Sequence, residues 1–197
     1  MRLVLWNCLG GLKHPDKVSY LKSLKPDLLI VPEIREKHID ALKPTSAIWI
    51  TNNHESKNPK GLGVLSFAGH DLQKLDADID MELFLPIRTV FEGVPINLLA
   101  VWAFHSRCKQ GRYKGKLGSY QLKRDAINRY KELFTQPSIV AGDWNLGPTI
   151  EPKSFDEITE MFGSSGLSNL YNSFNHLPVD AVAPMTHRHS SGRLHLI

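Results

Sequence analysis

Two carboxylates and two amides stand where short apolar runs of this chain stop. In the stretch Ser138-Ile139-Val140-Ala141-Gly142-Asp143-Trp144-Asn145-Leu146-Gly147-Pro148, the run Ile139 to Ala141 predicts a strand buried on both faces. Asp143 and Asn145 follow it one residue apart, and Gly147 and Pro148 then turn the chain away. A carboxylate and an amide at the exit of a buried strand lie where α/β folds place their sites. Strand alternation puts the two on one side, so that both can address one ligand. The plainer reading is a loop in which Asp143 and Asn145 only satisfy backbone donors. A single short motif does not separate the two readings.

The same arrangement occurs twice near the start. Leu3-Val4-Leu5-Trp6 predicts a strand that ends at Asn7, before Gly10-Gly11. Leu28-Leu29-Ile30-Val31 predicts a second, closed by Pro32-Glu33. Between them, Val18, Leu21 and Leu24 recur every third position among Lys17, Lys22 and Lys25, the pattern of a short amphipathic helix over Asp16 to Lys25. A β-α-β unit therefore carries Asn7 and Glu33 at the ends of two strands expected to be parallel and adjacent.

The middle of the chain reads as strands. Ala47 to Thr51 and Gly63 to Phe67 are short ones, and Leu83 to Phe91 and Ile96 to Phe104 flank a hairpin turn at Glu92-Gly93-Val94-Pro95. From Arg107 to Lys131 nine Lys or Arg face one acid, Asp125. Ser119 is placed to cap a helix whose stripe is Tyr120, Ala126, Ile127, Tyr130, Leu133 and Phe134. The basic residues of that helix read as a solvated face. Those of the preceding loop, Arg107, Lys109 and Arg112 with Lys114 and Lys116, leave a strand end directly and suit phosphate contact. Ser154-Phe155-Asp156-Glu157 has capping-box spacing and predicts a helix start, with an end near Gly163. Leu167 to Phe174 is ambiguous, and Thr186 to His189 and Arg193 to Ile197 close the chain. His187 and His189 share a strand face and read as exposed rather than metal-binding.

The 197 residues are 42% hydrophobic and 22% charged, an ordinary globular balance that predicts a single domain over residues 1–197. A formal charge of +4 favours anionic partners without naming them. Cys8 and Cys108 lack metal-site spacing and read as free thiols of a reducing compartment, with one disulfide as the alternative. Met1-Arg2 runs straight into a strand pattern rather than a signal peptide, and no apolar run is long enough to span a bilayer. A cytoplasmic location and no membrane partner are expected.

In order and spacing, Trp6-Asn7, Pro32-Glu33 and Gly142-Asp143-Trp144-Asn145 resemble the motifs of the endonuclease/exonuclease/phosphatase superfamily, the deoxyribonuclease-I-like proteins. Lys60-Gly61-Leu62-Gly63-Val64, Asn97-Leu98-Leu99-Ala100-Val101-Trp102 and the Thr186 region support the resemblance, which runs from Leu3 to Ile197. It implies an α/β (α+β) fold, a four-layer α/β/β/α sandwich of two mixed sheets. It implies Mg²⁺-dependent phosphoester hydrolysis (Mn²⁺ is the substitute), with Asn7 and Glu33 holding the metal. Asp143 and Asn145 are then the groups that orient the attacking water and contact the phosphate. Mg²⁺ suits such a site, because it is a hard ion that keeps several waters and takes only one or two carboxylates.

Two departures accompany the resemblance. Many members carry a histidine near the end of the strand corresponding to Ile96–Phe104. A direct register puts Trp102 there, and His105 matches only through a bulge. Members also continue past a segment like Leu194-His195-Leu196-Ile197 into an aspartate, further strands and a late Asp-His pair. The expectation is accordingly a domain incomplete at its C-terminal end, closing on an apolar strand without a polar tail. The leading functional reading is a metal-dependent hydrolase of phosphoester bonds, a nuclease or related phosphodiesterase with nucleic acid as the plausible partner. The alternative is a truncated or degenerate member that binds metal or polyanion without efficient turnover. A basic nucleic-acid-binding module is a third reading. Glu33 argues against it, since carboxylates at 33 and 143 repel phosphate unless a cation intervenes.

Overall fold

The apolar runs become strands because their alternate residues face two different layers. In the computed structural model, which describes residues 1–77, 81, 83–103, 120–147, 152–178, 187–188 and 194–195, β1 (Leu3–Leu5) and β2 (Leu28–Ile34) pair in parallel. Leu3 lies opposite Leu28 and Leu5 opposite Ile30, as the β-α-β reading expects, with α1 (Pro15–Ser23) as the crossover. β3 (Ser46–Ile50) and β4 (Gly61–Ser66) complete the first sheet, in the order β1-β2-β4-β3, with β4 antiparallel to both neighbours.

The second sheet has the order β5-β6-β7-β8. It is formed by β5 (Gln73–Lys74), β6 (Phe84–Phe91), β7 (Val94–Trp102) and β8 (Ser138–Asp143). β6 and β7 form the expected hairpin, but the turn is tighter than the sequence suggests. Phe91 pairs with Val94, leaving only Glu92 and Gly93 at φ +49° and +81°. Two positive φ values in succession mark the turn that follows the twist of the strands. β8 runs parallel to β7, with Leu98 opposite Ile139 and Trp102 opposite Asp143.

The two sheets pack face to face. Ile30, Leu62 and Val64 of the first meet Leu85, Ile87, Leu98, Ala100 and Trp102 of the second in one buried cluster. Residues of opposite parity face outward. Leu29, Val31 and Leu65 pack under Leu21 of α1, under Ile39, which joins two short 3₁₀ turns (Glu36–His38 and Asp40–Leu42), and under Leu42 of the second turn. On the far side Leu99 and Val101 pack under Leu122, Ala126 and Tyr130 of α2 (Tyr120–Tyr130). Ile127 of α2 meets Phe155 and Ile158 of α3 (Pro152–Ser164). This is the four-layer α/β/β/α sandwich of two mixed sheets.

Several local expectations change. α3 starts at Pro152, a residue suited to a first turn, so Ser154 lies inside the helix rather than capping it. The ambiguous stretch contains α4 (Leu170–Phe174), capped where Asn169 Oδ1 accepts the Asn172 amide N–H at 3.1 Å. β9 (His187–Arg188) and β10 (Leu194–His195) form a separate antiparallel pair, with His195 opposite His187. His189 and the proposed cap Ser119 lie outside the described residues. Among the described residues no helix is long and apolar enough to cross a membrane.

Candidate active site

Asn7, Glu33 and Asp143 meet at the seam between the two sheets. β1 ends at Leu5, yet its ladder continues: the Trp6 amide donates to the Ile30 carbonyl at 3.0 Å and the Cys8 amide to the Pro32 carbonyl at 3.2 Å. Asn7 is thereby held beside the end of β2. There the pairing with β4 slips, since Pro32 opposes Leu62 and Ile34 opposes Gly61, leaving Glu33 as an extra residue at φ +64°. A bulge of this kind re-aims a side chain. Ile34 now joins Leu29 and Val31 in the outer cluster, so parity has shifted by one and Glu33 is released from that face. A left-handed non-glycine residue costs about 1–2 kcal/mol, and such strain collects at functional sites.

Asp143 is the last residue of β8 and is buried. Its approach depends on Gly142, where a Cβ would collide with the Val101 carbonyl of the neighbouring strand. Beyond it, Trp144 packs edge-on against Phe84 and Phe162, with ring centroids 5.7 Å and 5.3 Å away, and Leu146 is buried beside Ile127 and Phe155. The turn is thus pinned into the helical layer at alternate residues.

The side chains close into one network. Asn7 Nδ2 donates to Glu33 Oε1 at 3.1 Å and to Asp143 Oδ2 at 2.9 Å. Asn7 Oδ1 accepts the Leu9 amide N–H at 3.0 Å. Lys60 Nζ donates to Glu33 Oε2 at 2.6 Å. Asp143 Oδ1 accepts the Asn145 amide N–H at 3.1 Å. Asn145 itself adopts φ +46° after the strand has ended, so strand alternation does not place its side chain, contrary to the sequence argument. What ties it to Asp143 is this short side-chain-to-backbone turn. Lys123 of α2, almost wholly buried, donates to the Asn145 carbonyl at 3.3 Å from behind.

Sequence reasoning missed Lys60, Lys123 and Arg35. Lys60 begins the Lys60-Gly61-Leu62-Gly63-Val64 run, and only the register of β4 against β2 brings it to Glu33. Arg35 ties the segment after β1 to the segment before β4, with Nε donating to the Gly10 carbonyl at 2.9 Å and Nη1 to the Asn58 carbonyl at 2.8 Å. His105, Arg107, Lys109 and Arg112, together with Cys108, lie outside the described residues. Cys8 is a free thiol. Burial first, aided by the charge of Glu33, pushes it up to about 11, so at neutral pH it stays protonated.

The donor set suits a hard cation. Two carboxylates converge, and the groups now on their oxygens are an ammonium and amide hydrogens, which stand in for positive charge. Among the described residues no three His, Cys, Asp or Glu side chains gather.

No protein-family model matches the chain, and neither does any curated protein. Solved structures do. The endonuclease domain of TRAS1, a telomere-specific non-LTR retrotransposon, superposes with a TM-score of 0.59 at 12% identity, over 83% of this chain and 71% of that one. An AP endonuclease from Archaeoglobus fulgidus gives 0.52 at 16% identity, over 82% and 71%. An endonuclease/exonuclease/phosphatase family protein from Leptotrichia buccalis gives 0.51 at 12% identity, over 82% and 72%. Likeness at these identities shows the fold, and the fold of this chain is the endonuclease/exonuclease/phosphatase sandwich, the deoxyribonuclease-I-like architecture.

Proposed function

We propose that this chain is a hydrolase of phosphoester bonds, a nuclease or related phosphodiesterase that uses Mg²⁺ or Mn²⁺ and works in the cytoplasm. The observation that carries the reading is the single Asn7 amide nitrogen shared by Glu33 and Asp143, which joins strand ends of two different sheets around one point. Two carboxylates drawn to one amide nitrogen repel each other, and a divalent cation between them would relieve that repulsion beyond what the Lys60 ammonium on Glu33 does.

Glu33 and Asn7 hold the cation in this reading, Glu33 by its carboxylate and Asn7 by its amide oxygen, which has to turn toward Glu33 from its present bond to the Leu9 amide. When bound, a divalent ion polarises a phosphoryl oxygen and neutralises charge gathering on the leaving oxygen. Asp143 is the water-orienting group. Two N–H donors fix its carboxylate, one on each oxygen, and each oxygen keeps a lone pair for a water proton. Asn145, held by Asp143 in front and Lys123 behind, offers its amide to the phosphate. Arg107, Lys109 and Arg112 are the proposed phosphate contacts of the nucleic-acid substrate, and His105 a further catalytic group.

A hydrolysis screen on DNA, RNA and small phosphodiesters, with Mg²⁺, Mn²⁺ or chelator, tests the proposal. Asp143→Asn is the control. Cleavage that needs the cation and is lost in the variant is the expected result. Cation-independent cleavage, or cleavage that survives in the variant, overturns it. Metal and polyanion binding without turnover on any substrate favours the degenerate, binding-only alternative.

A further inference from the structure

We propose that Lys60 is a built-in counter-cation of Glu33 which a divalent ion displaces, so that Lys60 sets how tightly this chain takes its metal. The inference rests on Glu33 being a metal ligand, as argued above. Glu33 has both oxygens engaged, Oε1 by the Asn7 amide at 3.1 Å and Oε2 by the Lys60 ammonium at 2.6 Å. An ammonium and a divalent ion side by side on one carboxylate repel. The incoming ion therefore has to move the ammonium away from Oε2.

The fold both delivers Lys60 and lets it leave. Thr51 Oγ1 donates to the Lys60 carbonyl at 2.7 Å, and Gly61 pairs with Ile34, which fixes the backbone next to the bulge. The stem passes close to the segment after β1, where a Cβ on Gly10 would lie 3.1 Å from Lys60 Cε. The Lys60 side chain is nevertheless 43% exposed, against 16% for Glu33, so a displaced ammonium goes into water rather than into the core. A partly exposed pair is weak, and exchanging it is inexpensive. An alternative role for Lys60 is a clamp that holds Glu33 in its ligand position. The two roles have opposite signs: loss of a competitor tightens metal binding, whereas loss of a clamp weakens it.

Lys17 supplies the control. Its ammonium donates to the Cys8 carbonyl at 3.1 Å, beside the same loop, without touching Glu33. General charge removal near the site is thus separable from release of Oε2.

The experiment measures Mn²⁺ binding by electron paramagnetic resonance of the free ion. It uses the full chain as wild type, Lys60→Gln, Lys60→Arg, Lys17→Gln and Glu33→Gln, with Lys60→Met as a second removal should Lys60→Gln fold poorly by circular dichroism. Lys60→Gln or Lys60→Met is expected to bind Mn²⁺ about two- to fivefold more tightly, the range for a partly exposed ion pair. Lys60→Arg, which keeps the charge, should stay near wild type, and Lys17→Gln should change less than Lys60→Gln. Raising the salt should narrow the gap between wild type and Lys60→Gln, because the pair is screened. If Glu33→Gln weakens binding while Lys60→Gln is unchanged or weaker, the counter-cation role is overturned and the metal site stands. Equal tightening in Lys60→Arg or Lys17→Gln also overturns it. If Glu33→Gln binds like wild type, or no variant binds Mn²⁺, the metal site itself falls and this role with it.

Discussion

The side chain of Asn7 reaches Asp143 at 2.9 Å across a sequence separation of 136 residues, and this one contact closes the seam between the two sheets at the site. Hydrogen bonds to charged partners contribute about 1.5–3 kcal/mol each. Asn7→Ala removes two such bonds, to Asp143 and to Glu33, and is therefore expected to lower unfolding stability by at least about 1.5–3 kcal/mol and to abolish hydrolysis. Urea denaturation measures the first, and an unchanged midpoint would show that the contact is not formed in solution.

Glu33 sits in the bulge at φ +64°, which favours glycine. Comparing Glu33→Gly with Glu33→Ala isolates the backbone term, since both lose the bonds to Asn7 and Lys60. The glycine variant should be the more stable by about 1 kcal/mol. Both should lack metal-dependent activity. Equal thermal midpoints for the two would argue against a left-handed residue here.

His38 links the Asn7 loop to the turn after β2. Its Nδ1 accepts the Leu12 amide N–H at 3.1 Å, and a Cβ on Gly11 would collide with its ring. Burial first, then the charges of Lys37, Arg35 and Lys13, lower its pKa below the ordinary 6.5. The unfolded chain thus takes up this proton at higher pH than the folded one. Stability from His38 is full above about pH 6.5 and is lost as pH falls through the lower folded value. Thermal unfolding at stepped pH should show this decline in wild type and not in His38→Gln. Parallel curves for the two would refute it.

The basic run from Arg107 to Lys116 predicts a salt effect. If Arg107, Lys109, Arg112, Lys114 and Lys116 follow a nucleic-acid backbone, the log–log slope of affinity against salt is about −0.9 per neutralised phosphate on duplex DNA and about −0.7 on single strands. Replacing Arg107, Lys109 and Arg112 with Ala should flatten the slope by the contacts removed. An unchanged slope would assign phosphate binding elsewhere.

Most of the strands, the crossover helix and the three residues at the ends of apolar runs were legible in the sequence because burial leaves a local mark, whereas the short, exposed β5 left none. Leu28 to Val31 and Ile139 to Ala141 are continuous apolar runs, as strands covered on both faces must be, and Asn7, Glu33 and Asp143 are the polar residues that stop or follow such runs. Local pattern carries no register, however. The slip between Pro32 and Ile34 turns Glu33 off the outer face, the same pairing delivers Lys60 to it, and Lys123 supports Asn145 from a helix. Each depends on how far one strand slides against another, or on which helix covers which sheet. Those choices are made by packing between residues distant in the chain, so only the folded tertiary structure decides which side chains share the site.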